Sequence, residues 1–209
     1  MGGSKSKFYP SPPGVESALR QCEILSGLIL HQINLESLSI DTIVGSDSDS
    51  NLVKATPIVH PYAIIVSQDC DLSQDFHYRF KGRGKARHAL SNILFCEVVE
   101  AAELVHGEEH GTIFDEGAIR QDYKKNNDFR FHFLQEIPTD CDSLGMGLPE
   151  LGMVFKRYFS IPAAEAYEQI KLGLAKRRSV LKTPYLEHFT DRFYHYNNRI
   201  ALPEQYEST

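Results

Sequence analysis

HPYAIIVSQDCDL, residues 60–72, decides how this chain is read. Its apolar, β-branched centre lies between Pro61 and a polar tail, which predicts a buried strand over residues 61–68. If the backbone stays extended to Leu72, period-two alternation puts Ile64, Val66, Gln68, Cys70 and Leu72 on one face. Ser67, Asp69 and Asp71 then share the other. The first face is expected to meet the core, with Cys70 as a small hydrophobe. The second ends in two carboxylates that repel each other unless solvated or partnered.

Three roles for that strand end follow from the residue types. Asp69 or Asp71 can close an Asx turn on backbone N–H groups. Ser67, Asp69, Cys70 and Asp71 can form part of a ligand or partner site. Cys70 can act as a nucleophile or metal ligand, but its flanking carboxylates raise a thiol's pKa where a reactive cysteine needs positive neighbours. His60 and His77 stand near in sequence without any standard zinc spacing, and no metal or cofactor site is expected.

Upstream, CEILSGLILHQI at 22–33 predicts a first long strand, with Gly27 weighing against a helix. Residues 36–56 are a polar, acidic loop. Its GSDSDSN run places Asp47, Asp49 and Asn51 at calcium-loop offsets, but the sixth position is Leu52 and the twelfth Ile58, which excludes an EF-hand. Downstream, KGRGKARHA at 81–89 sets Lys81, Arg83, Lys85 and Arg87 at alternate positions. An extended backbone would aim all four cations one way, a ridge for phosphates beside the alternating aromatics Phe76, Tyr78 and Phe80. A solvated loop is the plainer reading.

An apolar run covers 93–104. DFRFHFL at 128–134 alternates, with Phe129, Phe131 and Phe133 on one side and Arg130 and His132 on the other, which predicts a half-exposed strand. VFKRYFSI at 154–161 is its expected antiparallel neighbour. Beyond Pro162 the period changes. Ala163, Ala166, Tyr167, Ile170 and Leu174 share a helical face, as do Leu186, Phe189, Phe193 and Tyr196 after the Thr183–Pro184 start signal. Two histidine pairings were weighed as metal faces: His106 with His110, broken by Gly107 and Gly111, and His188 with Asp191 and His195, more simply an exposed charged face. The expected architecture is α+β: a small antiparallel β-barrel or bent sheet over 22–161, SH3-like, with C-terminal helices packed on it. One domain spans 1–209, with a flexible start over 1–14.

The 209 residues carry a net charge of −6 and a pI near 5.8, which argues against a general nucleic-acid coating protein. Cys22, Cys70, Cys96 and Cys141 are widely spaced, as in a reduced cytoplasmic protein. No run approaches the length of a membrane helix. The N-terminus lacks a signal peptide's apolar core, though Gly2 and Ser6 fit a myristoylation pattern.

QCEILSGL at 21–28 followed by HPYAIIVSQDCDL resembles the opening of PemK/MazF-like toxins, which implies an SH3-like barrel and endoribonuclease activity. The chain departs from that pattern. His60 stands where the family has arginine, Cys22 and Glu23 where it has Gly and Asp, and its catalytic Ser or Thr has no counterpart. In that reading His60 is the candidate catalytic residue, with Arg79 or Arg83 as the cation. The S-Q-x-C-D-L run, TPYLEHFTDRF and NRIALP together resemble a group of uncharacterised prokaryotic proteins, which implies no mechanism. The expected function is a non-catalytic module of a prokaryotic defence or toxin-type system. It would contact a protein partner encoded nearby, or nucleic acid through the basic loop; an endoribonuclease toxin is the alternative.

Overall fold

The computed structural model describes residues 6–14, 16–33, 55–106 and 124–198. The GSDSDSN run, His110 and Ile200 lie outside them. Seven strands form one antiparallel sheet: β1 (Glu23–Ile33), β2 (Ala55–Ile65), β3 (Asn92–Glu100), β4 (Phe131–Leu134), β5 (Leu151–Val154), β6 (Tyr158–Pro162) and β7 (Lys176–Val180). The order is β4-β5-β3-β2-β1-β7, with β6 paired to β3. Of the expected barrel or sheet, the chain forms an open sheet whose end strands β4 and β7 do not pair.

Consecutive residues of the central strands send side chains to opposite faces, so each face builds its own core. Ile24, Ile64, Cys96 and Val98 meet Phe155, Phe189 and Phe193. Leu25, Ala63, Ile65 and Phe95 meet Leu72, Ala163 and Ala166. Helices therefore lie on both faces. On the second face are α1 (Asp69–Lys81) and α3 (Ala163–Lys171), and on the first is α4 (Tyr185–Asn197); a short α2 (Ala101–His106) follows β3. The aromatic stripe of α4 packs on the sheet as its period requires, with Phe189 and Phe193 buried.

Several expectations are corrected. The extended reading of 60–72 fails at its end: β2 stops at Ile65, and Asp69 begins α1. Leu72, Asp75, Phe76, Arg79 and Phe80 then fall at helical spacing, and Cys70 is exposed rather than tucked into the core. Phe76, Tyr78 and Phe80 belong to this helix, so their alternation carries no strand. The basic ridge also fails. Lys81 ends α1, Gly82 at φ +60° closes it in the left-handed conformation, and residues 86–88 are a 3₁₀ turn. In β4, Phe131 and Phe133 do share a cluster, but α4 covers the opposite face, and His132 is buried. Val154 pairs with Phe131 as the neighbour of β4, whereas the rest of that segment becomes β6 and pairs with β3.

The N-terminal segment is docked from residue 6: Tyr9 is buried, and its hydroxyl donates to the Gln135 carbonyl at 2.8 Å. The helical quarter contains an unforeseen strand, β7, KRRSV, whose Arg177 and Arg178 are both buried. Arg177 donates to Glu23 and to the carbonyls of Gly14, Ser17 and Ala18. Arg178 pairs with Asp142 at 2.7 and 2.8 Å.

Candidate functional site

A groove of about 810 Å³ lies between α1 and α3 and is walled by residues 16–19. Its position follows from the folding of 69–81. As a helix, this segment turns Phe76, Arg79 and Phe80 toward α3, whose own stripe presents Tyr167 and Ile170. Arg177 forms part of the lining and also holds the wall, because it ties the carbonyls of Gly14, Ser17 and Ala18 to β7. Asp69 holds the same wall from α1. Its carboxylate takes two hydrogen bonds from the Arg20 Nε and one from its Nη2 at 2.7–3.1 Å, and one from the Gln21 N–H at 2.6 Å. Partial burial opposes the charge, yet these donors keep the Asp69 carboxyl below its ordinary value.

The groove is aromatic at its centre, and its lining carries Lys81 and Lys171 together with Glu16 and Glu168. Phe76 and Phe80 lie 5.3 Å apart by ring centroid, and Tyr167 meets Phe80 edge-on at 4.9 Å. Phe80 is 52% exposed, unusual for a phenylalanine that nothing covers. Lys81 sits 5.3 Å over the Phe76 ring, and Lys171 is paired only with exposed Glu168. Beneath this surface Asp75 is fully buried. One of its oxygens accepts from the Arg79 Nε and from the Leu90 N–H, each at 2.7 Å; the other has no partner. The Tyr167 hydroxyl is likewise buried without a hydrogen bond of good geometry. Burial first, then the Asp75 charge, pushes its pKa up.

The candidate residues of the sequence divide among different tasks. Ser67 accepts the Leu94 N–H at 2.8 Å, fastening the connection between β2 and α1 to β3. Asp69 anchors the wall. Cys70 and Asp71 are exposed, with the thiol 3.6 Å from both Gln68 and Asp71 oxygens. The two carboxylates, expected side by side, thus part company, and no single site gathers the four residues. Lys81 lines the groove, and Arg83, Lys85 and Arg87 follow it, all exposed and in no ion pair with a described residue.

His60 sits elsewhere. It is 8% exposed and stacked on Phe159 at 4.0 Å, with its Nδ1 3.6 Å from Glu97, which pairs with Arg157 at 3.2 Å. No hydrogen bond or ion pair joins it to Arg79 or Arg83. Among the described residues no group of three or more His, Cys, Asp or Glu could hold a metal ion, and no helix is long and apolar enough to cross a membrane. The chain matches no protein-family model, and no curated protein or solved structure is significantly similar to it.

The groove was reachable from sequence by a different period. Asp69 and Asp71 in a first turn, Arg79 and Lys81 in a last, and Gly82 just beyond are the signals of a helix.

Proposed function

We propose that this protein is a recognition module that binds single-stranded nucleic acid in the groove between α1 and α3. Its chemistry is binding, and no bond-making step is assigned to it. The observation that carries the reading is a groove in which Phe76, Phe80 and Tyr167 offer ring faces and edges with Lys81 and Lys171 beside them, while the exposed Arg83, Lys85 and Arg87 follow Lys81 in the chain. Bases stack on such rings without regard to sequence, and phosphates follow the cations. Work in a prokaryotic defence or toxin-type system rests on the sequence resemblance alone.

The test is fluorescence anisotropy with short single-stranded RNA and DNA. A stacking aromatic contributes about 1–3 kcal/mol per base, so Phe80→Ala should weaken binding roughly 5- to 150-fold. Because Phe80 is half exposed, the variant should fold normally. Wild-type protein that ignores both oligonucleotides, yet retains a polypeptide that Phe80→Ala releases, would make the occupant a protein partner.

The endoribonuclease reading is favoured by one observation, the His60–Glu97–Arg157 cluster, in which a carboxylate lies 3.6 Å from an imidazole and pairs with a cation. Both His60 ring nitrogens are buried, which a catalytic base facing RNA should not be. RNA cleavage that survives His60→Ala ends that reading.

A further inference from the structure

A second pocket, about 190 Å³, opens between β4, α4 and the N-terminal segment, lined in part by Tyr9, Lys124, Asn126, His132, Tyr185 and His188. His132 is 3% exposed and lies deepest, whereas His188 is exposed, and the two rings are 5.4 Å apart. The Nδ1 of His132 is buried with no hydrogen-bond partner. Leaving such a group unpaired is costly, and the ring that carries it lines the pocket.

The charges around the pocket choose the kind of partner. Arg192 reaches from α4 to the carbonyls of Asp128 and Phe131, leaving its Nε buried and unpaired. Burial first, then the nearby guanidinium, holds both imidazoles below their ordinary pKa. The acids close by are engaged: Asp128 with Arg130 at 2.6 Å and Glu150 with Lys124 at 2.8 Å. Asp191 alone acts on His188 in the other direction. Tyr9 donates its hydroxyl to Gln135, and both amide groups of Asn126 are used by Phe133. A metal cation would meet the Arg192 guanidinium as repulsion; an anion would meet it as attraction.

We propose that this pocket binds a small oxyanion, with His132 and His188 facing it and Arg192 supplying positive potential nearby. The volume suits a sulfate- or phosphate-sized group and excludes a whole nucleotide, so the ligand is a free oxyanion or the terminal phosphate of a longer molecule. An anion between the rings favours their protonated forms. Binding therefore takes up protons and tightens as pH falls.

Sulfate is the probe, because it does not titrate near neutral pH, and the imidazole NMR signals of the full chain are the readout. At about 150 mM NaCl, which screens non-specific attraction, the His132 and His188 signals should shift saturably. Affinity should rise at least roughly threefold between about pH 7.5 and 6. His188→Gln, at an exposed position, should weaken binding roughly fivefold or more with the melting temperature unchanged. His132→Asn provides a second variant, checked for folding by the remaining histidine signals. No saturable shift with millimolar sulfate, shifts that His188→Gln leaves intact, or an affinity that ignores pH would each overturn the proposal. A 5′-phosphorylated dinucleotide that outcompetes sulfate, where its unphosphorylated form does not, assigns the anion to a polymer end; equal competition assigns it to a free ion.

Discussion

Arg178 and Asp142 show how much one buried pair can organise. Asp142 accepts two hydrogen bonds from the guanidinium and three from the N–H groups of Leu144, Met146 and Gly147, so one carboxylate folds the loop after β4 and fastens it to β7. Burial works against the charged form, but these donors prevail and hold the carboxyl below its ordinary value. Arg178→Met would leave that carboxylate buried with its cation gone, and should cost about 3–5 kcal/mol by denaturant titration. The sign of the pH dependence follows. A depressed carboxyl pKa stabilises the fold above its unfolded value, about 3.9, and that contribution fades as pH falls through the folded value. The gap between wild type and Arg178→Met should therefore narrow as the solution is acidified and Asp142 becomes protonated in both folded proteins. A gap that widens on acidification would remove Asp142 from this role.

At the scale of elements, β1 poses the problem of an open edge. Its residues Glu23–Ser26 pair with β7, and beyond them the same edge has no strand among the described residues. Two devices cover it. Gly27, at φ +75°, lets the turn after α3 approach so closely that a Cβ there would lie 2.7 Å from the Leu174 carbonyl oxygen. Gln169 of α3 then stands in for a strand: its Oε1 accepts the Ile29 N–H at 2.9 Å and its Nε2 donates to the Ile29 carbonyl at 2.8 Å. Gln169→Leu removes both bonds at a buried position and should cost about 1–2 kcal/mol, with faster hydrogen exchange at the Ile29 amide. An Ile29 amide as protected as before would mean the edge is covered by something else. These contacts also show what sequence could and could not yield. The long strand at 23–33, the strand at 61–65 and the aromatic face of the last helix were legible because each pattern is local. The helix at 69–81 is ambiguous in sequence, because residues 76–80 fit period two and period four alike. The strand KRRSV was not legible: two adjacent arginines are buried only because Glu23 and Asp142, far apart in sequence, stand opposite them. The groove inherits both difficulties, since one wall needs the helix and its base needs Arg177.

For the whole molecule, the net charge of −6 and the proposed nucleic-acid groove have to coexist. They can if binding is local, because charges more than a Debye length away, about 8 Å at physiological salt, are largely screened. The number of phosphates engaged is then set by the cations around the groove, not by the total charge. For single strands, the logarithm of the binding constant falls with the logarithm of salt by about 0.7 per phosphate neutralised. Contacts from Lys81 and Lys171 alone predict a slope near −1.4, and engagement of Arg83, Lys85 and Arg87 as well predicts about −3.5. The measurement is an oligonucleotide titration over several salt concentrations, repeated with Arg83, Lys85 and Arg87 changed to Gln. A steep wild-type slope that falls to about −1.4 in the triple variant would show the loop following the backbone while the groove holds the base. A slope unchanged by the triple substitution would confine recognition to the groove. A slope near zero would count against phosphate contact anywhere on this surface, since a ligand held only by Phe76, Phe80 and Tyr167 releases no counterions.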